Sequence, residues 1–590
     1  MKSVSIILFF GACFLLANAR HPKASNIFEK LAQDPVDFDI NGDWENRIVP
    51  DDLNETGKDT AYRVKSACLD AKSTYKIVDG NKCEGSDLLV AVAKFKNTIN
   101  ETGWSNLEIE TFDVVDGNDQ AYAAGYLEST LSHKLISYHL ENAVFNYCKG
   151  FQNYCDRLKT YMKESTDWIK SEIKIRPVDD IYWTAVRRVY YQLAGVIAGY
   201  EKSEFKVDLF FGYHPILMAN LNGDLYDLER KFNKTKDDND NGGKCSGLVK
   251  VTPGNADLLF SQVTMGGFQT MTRILKLYKF AYEKALYPGR TVSFSSYPSM
   301  LYSSDDFALL SSKLAVIETT INVFNLTTYN QTVAKEQLHC WVRSIVANQI
   351  ARSGREWCEV FSRYNSGTYN NQWIVVDYSK FTPHKPLPKH GLLYVLEQLP
   401  GFTEYRDVTW YLNKYSYFAS YNLPFYRKIS KYSGFDKKVK DSGYWYSWKD
   451  APRSKIFARD HNKVTDLASL ATLMRYNDYT HDEFSKCECN PPYTAEAAIS
   501  ARGDLNIPTG TYPLPGMGNQ NHGSLDYKGV NVEYFKTLSF KAWGGPAYGQ
   551  VPAFKWSTFN LAVNVSHIGM PDEWNFKEID VKWETNVSDN

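Results

Sequence analysis

The 590-residue chain predicts a protein that mixes helices and strands, of the α/β or α+β class. Three observations carry this. Long stretches space their apolar residues three and four apart, as helices do. Shorter runs are apolar and bounded by turn residues, as buried strands are. The two kinds of segment interleave along the chain instead of separating into halves.

Taken in order, residues 20–60 are polar and irregular. Helical period is expected over 118–146 ("NDQAYAAGYLESTLSHKLISYHLENAVFN"), over 154–172 and over 179–204 ("DDIYWTAVRRVYYQLAGVIAGYEKSE"). A loop, "NKTKDDNDN" (233–241), holds no apolar residue. After it come two strands, 246–253 and 256–265, joined at Pro253-Gly254-Asn255 as a hairpin. Residues 267–286 ("GFQTMTRILKLYKFAYEKAL") return to helical spacing, and 291–301 and 370–381 read as strands. The last hundred residues, rich in Gly, Pro and aromatics, read as loops with short strands. There is no internal repeat.

Residues 1–19 have the anatomy of a signal peptide: Lys2, an apolar run, then the small-x-small site Ala17-Asn18-Ala19. The run is short for an anchor across a hydrocarbon core of ~30 Å. Seven Asn-x-Ser/Thr sequons, at Asn54, Asn100, Asn233, Asn325, Asn330, Asn564 and Asn586, agree with a secreted or lysosomal glycoprotein. The formal net charge of −1 implies no nucleic-acid partner. Beyond Cys13 in the leader, nine cysteines remain, an odd number. Pairing sequence neighbours gives 68–83, 148–155, 340–358 and 487–489, and leaves Cys245 alone.

Walker-type, H-E-x-x-H and G-x-S-x-G motifs are absent, and the eleven histidines form no visible ligand set. "KCECN" (486–490) has poor zinc spacing. Arg502-Gly503-Asp504 is an adhesion-type triplet of a kind common by chance. Cys245, in "NGGKCSGLVKV", has three readings. As a buried structural thiol it needs no further explanation. As a nucleophile elbow it fits G-x-C-x-G, but an elbow needs a strand before and a helix after. As an N-terminal nucleophile it explains more of its surroundings. A cut at Lys244–Cys245 turns an amide into an α-amine with a pKa of about 7.7–8.0, able to take the thiol proton. The polar loop exposes backbone to be cut, and the following strand is a rigid mount.

"GKCSGLVKV" and "ADLLFSQVTMGGFQTMTRILKLY" resemble the phospholipase B-like proteins, the lamina ancestor family. The likeness continues through "SFSSYPSMLYSSDDFALLSSKLAVIETT", "FSRYNSGTYNNQWIVVDYSKF", "YNLPFY", "APRSKIFARDHN", "LMRYNDY", "AISARGDLN" and "QVPAFKWST", nearly the whole mature chain. The resemblance implies an α+β fold, the αββα sandwich of N-terminal nucleophile hydrolases. It implies self-cleavage into 20–232 and 245–590 with 233–244 as the processing loop, the fragments staying associated. Cys245 would be the nucleophile. Asn371 or Asn370 would donate in the oxyanion hole, against a bland reading as a turn amide. Thr320, with Thr319, and Arg459 would line the site, although a lone Arg more often makes a surface salt bridge.

The implied activity is removal of fatty acyl chains from phospholipids, with the membrane met transiently as the source of substrate. No metal or cofactor is called for, since amine, thiol and oxyanion donors suffice. A homo-oligomer stays open, as do two other functions, an N-acyl amide hydrolase and a non-catalytic secreted binding module. The chain departs from the family at Gln262-Val263-Thr264-Met265, where His-Asn-Thr-Trp is frequent.

Overall fold

The computed structural model describes residues 61–210, 212–234, 245–305 and 307–587. The leader (1–19), the stretch 20–60 and most of the loop 233–244 lie outside the described residues. The chain is α+β and is organised around two large, mostly antiparallel sheets.

The strands in chain order are β1 (Arg63–Leu69), β2 (Tyr75–Asp79), β3 (Leu88–Thr98), β4 (Trp104–Thr111), β5 (Cys245–Val251), β6 (Leu258–Gly266), β7 (Ile274–Lys279), β8 (Thr291–Ser296), β9 (Phe307–Leu310), β10 (Leu314–Thr320), β11 (Asn371–Asp377), β12 (Leu393–Leu399), β13 (Phe402–Asp407), β14 (Tyr417–Ser420), β15 (Gly523–Ser524), β16 (Asp526–Val530) and β17 (Phe540–Gly544). Eleven of them form one sheet, in the order β13-β12-β11-β10-β9-β8-β7-β4-β3-β1-β2. The second sheet runs β14-β5-β6-β16-β17 and ends on Ile579–Val581, with β15 also paired to β6. Within the first sheet β4 and β7 pair in parallel, in register from Ser105 with Ile274 to Glu110 with Lys279.

Strand alternation shows how the layers stack. On β10, Leu314 and Val316 enter one core while Ala315 and Ile317 enter another. On β11, Trp373 and Val375 separate in the same way from Ile374 and Val376. The first core lies under helices α1 (Gly117–Ala143), α2 (Gln152–Ile175), α3 (Ile181–Tyr200), α4 (Cys340–Ile350) and α5 (Gly354–Phe361). The second core holds Leu248, Val249 and Phe260 of the second sheet, together with residues of four more helices. These are α6 (Arg427–Ser433), α7 (Phe435–Ser442), α8 (Pro452–Asp460) and α9 (Leu467–Met474). Both faces of β10 and β11 are therefore buried, and the polar residues they carry, Glu318, Thr319, Thr320, Asn371, Gln372 and Asp377, gather at the strand ends.

The helices over 118–146, 154–172 and 179–204 form as expected. Helices α1 and α3 pack at glycines. A Cβ on Gly125 would sit 2.1 Å from the Gln192 carbonyl oxygen, and one on Gly195 2.1 Å from that of Tyr122. The hairpin of β5 and β6 also forms, with seven paired positions from Cys245–Thr264 to Val251–Leu258.

The helix expected over 267–286 does not form. Its centre is β7, an interior strand of the large sheet. Lys276 made the segment look amphipathic, but it is fully buried and its Nζ lies 2.7 Å from Oε1 of Glu128 on α1. The Tyr278 hydroxyl donates to the same carboxylate. A paired buried charge thus imitated the polar face of a helix.

Three expected disulfides are present: Cys68–Cys83, Cys148–Cys155 and Cys487–Cys489. The fourth, Cys340–Cys358, is not made. Both residues are buried thiols in the core beneath α4 and α5, and nearness in sequence did not bring the sulfurs together. The adhesion-type triplet is also buried. Arg502 is 1% exposed, pairs with Asp504 at 2.7 Å and donates to the carbonyls of Ala547 and Pro552. No helix of the described residues is long and apolar enough to cross a membrane.

Candidate active site

Cys245 is the first residue of β5 and is 3% exposed. Its Sγ lies 4.0 Å from Oε1 of Glu318, a fully buried residue on β10. The Tyr369 hydroxyl is 3.1 Å from the same oxygen. The Cys245 carbonyl accepts from Nη1 of Arg453 at 2.7 Å, and the same nitrogen reaches Ser246 Oγ at 3.2 Å. Arg453 sits in the first turn of α8. Burial draws its pKa down to about 10, still well above neutrality. The start of β5 is thus gripped from both sides, by a carboxylate near the sulfur and a cation on the carbonyl.

Beside Cys245 a chain of buried charges supports its ladder partner Thr264. Lys528 Nζ donates to Thr264 Oγ1 at 2.6 Å and to Asp526 Oδ1 at 2.7 Å. Arg273 pairs with Asp526 at 2.7 Å and with Asp305. Burial, with Arg273 adding to it, lowers the Lys528 pKa to about 8 despite the attraction of Asp526. Burial works against the Asp526 charge, but Lys528 and Arg273 outweigh it and hold the carboxyl below its ordinary range. Gln262, in the segment that departs from the family pattern, belongs to this support: its Nε2 reaches the carbonyls of Asp305 and Glu318, and its Oε1 accepts from Thr264.

The two asparagines proposed for the oxyanion hole differ sharply. Asn370 is committed. Its backbone N–H donates to Asp227, its Nδ2 donates to the Gly367 carbonyl, and its Oδ1 accepts from Gln398. Asn371 is fully buried, and neither side-chain Nδ2 nor Oδ1 has a hydrogen-bond partner among the described residues. A buried amide left open in this way is unusual. Asn371 faces Thr320 across the ladder of β10 and β11. The Thr320 carbonyl accepts from Asn422 Nδ2 at 2.9 Å.

Asn422 lines a cavity whose wall also includes Arg453, Met265, Tyr421, Trp445 and Glu496. Its loop is held by a polar relay. The Asn422 N–H donates to Thr319 Oγ1 (3.2 Å), Thr319 donates to Ser420 Oγ (2.7 Å), and Ser420 donates to Gln372 Oε1 (2.5 Å). Gln372 Nε2 in turn donates to Glu397 Oε1 (2.5 Å). Glu397 also accepts from the N–H groups of Phe425 and Tyr426, so one buried carboxyl pins both ends of the loop. Burial raises its pKa from 4.5 to about 7.

Arg459 stands apart from these contacts. Its guanidinium pairs with Asp460 at 2.7 Å and with Asp482 at 2.8 Å, and its side chain is 35% exposed. The sequence segment "APRSKIFARDHN" does supply an arginine to the site, but it is Arg453, six residues earlier. Glu318, Asn422 and Arg453 all lie inside segments that carried the resemblance. Only the packing of β10, the 421–426 loop and α8 around β5 distinguishes them from their neighbours.

A profile of the family described as Phospholipase B matches residues 91–581. The chain is 56% identical to "Putative phospholipase B-like 2" of Caenorhabditis elegans over 534 residues, covering 90% of this chain and 91% of the relative. It is 39% identical to the human protein of the same description over 538 residues, covering 89% and 90%. To "Phospholipase B-like protein C" of Dictyostelium discoideum it is 32% identical over 540 residues, covering 89% and 92%. The chain belongs to the phospholipase B family.

Proposed function

We propose that this chain is an acyl hydrolase of the N-terminal nucleophile type, with Cys245 as nucleophile. The observation that carries the reading is the mounting of Cys245. A polar loop ends at a buried thiol that begins a strand, with a carboxylate beside its sulfur and Arg453 on its carbonyl.

Maturation comes first. In the intact chain the nitrogen of residue 245 is an amide and cannot serve as a base. Glu318 takes the thiol proton, and Sγ attacks the carbonyl carbon of Lys244. The C–N bond breaks as the nitrogen is protonated, leaving a thioester on Cys245. Water hydrolyses that thioester to the Lys244 carboxylate, the thiol and a free α-amine. Gly242 and Gly243 permit the backbone distortion that this step requires.

In the mature protein the α-amine is the base, a role worth typically ~10²–10⁴-fold. The thiolate attacks the acyl carbonyl of the substrate. The oxyanion is met by Asn371 Nδ2, with Asn422, which lines the cavity, as the second amide. One such donor contributes about 3–4 kcal/mol where it has been measured. The alcohol leaves with the proton from the amine, and water then releases the fatty acid from the thioester. Glycerophospholipid esters are the substrate class that the family name favours. The leader and sequons support a secretory route, to the outside of the cell or a lysosome-like compartment. Asn100, Asn233, Asn330, Asn564 and Asn586 are exposed, as occupied sequons must be.

The test is to offer processed protein a diacyl phospholipid, a lysophospholipid and a matched N-acyl amide, and to measure the fatty acid released. Release from the lipids alone is the expected result. Release from the amide alone would make this an amidase, and no release at all would leave a binding module.

A further inference from the structure

Residues 427–449 carry seven Lys or Arg against two Asp, in a chain whose net charge is −1. The segment folds as α6 and α7, two short helices in contact with one another. Arg427, Lys428, Lys431, Lys437, Lys440 and Lys449 are exposed. Among the described residues no ion pair ties any of these six to a carboxylate. Three large apolar or aromatic side chains are exposed between them: Tyr432 (51%), Tyr444 (41%) and Val439 (36%). The inner side of the same segment supplies Phe435, Trp445 and Tyr446 to the wall of the cavity that Asn422 and Arg453 line. Phe435 and Tyr446 each meet Phe324 edge to face, which anchors the segment to the core behind it. One stretch of chain therefore forms both the cavity wall and a basic, aromatic-studded outer surface.

We infer that this surface docks the protein on an anionic lipid surface, bringing the mouth of the cavity to the lipid. The inference rests on the acyl-hydrolase reading for its purpose, but not for its physics. Lysines attract anionic headgroups, and exposed tyrosines settle at the level of the headgroups. The mixture of cations with half-immersed aromatics favours a lipid interface over a purely polyanionic glycan. Each basic residue near such a surface strengthens binding by about fivefold at moderate ionic strength.

The experiment measures partitioning of the full-length protein onto vesicles of diether phosphatidylcholine, with and without diether phosphatidylserine. Ether lipids have no ester to cleave, so docking is read without hydrolysis. Wild-type protein should prefer the serine-containing vesicles and leave them at high salt. The triple variant K431E/K437E/K440E should lose well over a hundredfold in partitioning, because each change removes a cation and adds an anion. It should still hydrolyse a water-soluble short-chain ester as fast as wild type. The milder K431Q/K437Q/K440Q set should show a smaller loss in the same direction, and it serves if charge reversal disturbs folding. Equal partitioning onto both vesicles, or partitioning unchanged in both triples, would overturn the inference. So would retention on heparin without any preference for the serine lipid, which would make the partner a polyanionic glycan. If vesicles bind as expected but no protein cleaves the soluble ester, the hydrolase reading fails and the docking surface stands.

Discussion

Replacing Glu397 by Gln isolates the energy stored in the relay that holds the Asn422 loop. The carboxyl is fully buried, and its folded pKa of about 7 lies above the ordinary 4.5. Below pH 4.5 both folded and unfolded states carry the proton, and the residue adds no pH dependence. Between 4.5 and about 7 the unfolded chain releases the proton while the folded one keeps it, so stability falls as pH rises. At about 1.4 kcal/mol per unit, the cost levels off near 3 kcal/mol once the folded carboxyl has also ionised. Glutamine does not titrate, but it sets an amide N–H₂ against one of the N–H groups of Phe425 or Tyr426, a loss of about 1 kcal/mol. Urea denaturation of wild type and Glu397→Gln across this range should therefore show wild type ahead in acid and the variant ahead at neutral pH. The difference should shift by about 3 kcal/mol in the variant's favour. A stability difference that stays constant with pH would show that Glu397 is not the group held protonated, and the account of the relay would fall.

Other outcomes follow from the same geometry. Glu318→Gln should slow cleavage at Lys244–Cys245 while leaving the fold intact, seen as persistence of the full-length band. Arg453→Ala should lower acyl release by a factor of ten or more in processed protein, since it removes a charged hydrogen bond of about 1.5–3 kcal/mol from the Cys245 carbonyl. Arg459→Ala should leave release unchanged. Alkylation of unfolded, unreduced mature protein should label Cys245, Cys340 and Cys358 and spare the other six cysteines; protection of Cys340 and Cys358 would restore the missing disulfide. Gly125→Val should destabilise the protein by several kcal/mol, because its side chain meets the Gln192 carbonyl in the contact between α1 and α3.

Much of the fold was legible because local pattern and burial agree. The helices α1, α2 and α3 show their period, and the β5–β6 hairpin announces itself through its turn. Strand β7 was not legible, since Lys276 is neutralised by Glu128, 148 residues away in sequence. The same limit applies at the site. Cys245 was visible because a polar loop stops abruptly at it. Asn371 stood out only in structure, by lacking partners that Asn370 has. Arg453 and Arg459 occupy one helix and one motif, and no local property of the sequence says which of them meets the Cys245 carbonyl. Polar function in this protein is assigned by contacts between distant segments, which a single sequence does not display.

The central claim is that Cys245 becomes a chain terminus and works as one. N-terminal sequencing and intact mass of the purified mature protein test this most directly, with Cys245→Ala alongside. The account predicts two associated fragments in wild type, the second beginning Cys-Ser-Gly-Leu-Val, and a single uncut, inactive chain in the variant. A wild-type protein that hydrolyses acyl esters as one intact chain, or a Cys245→Ala protein that is cut at the same bond, would contradict it.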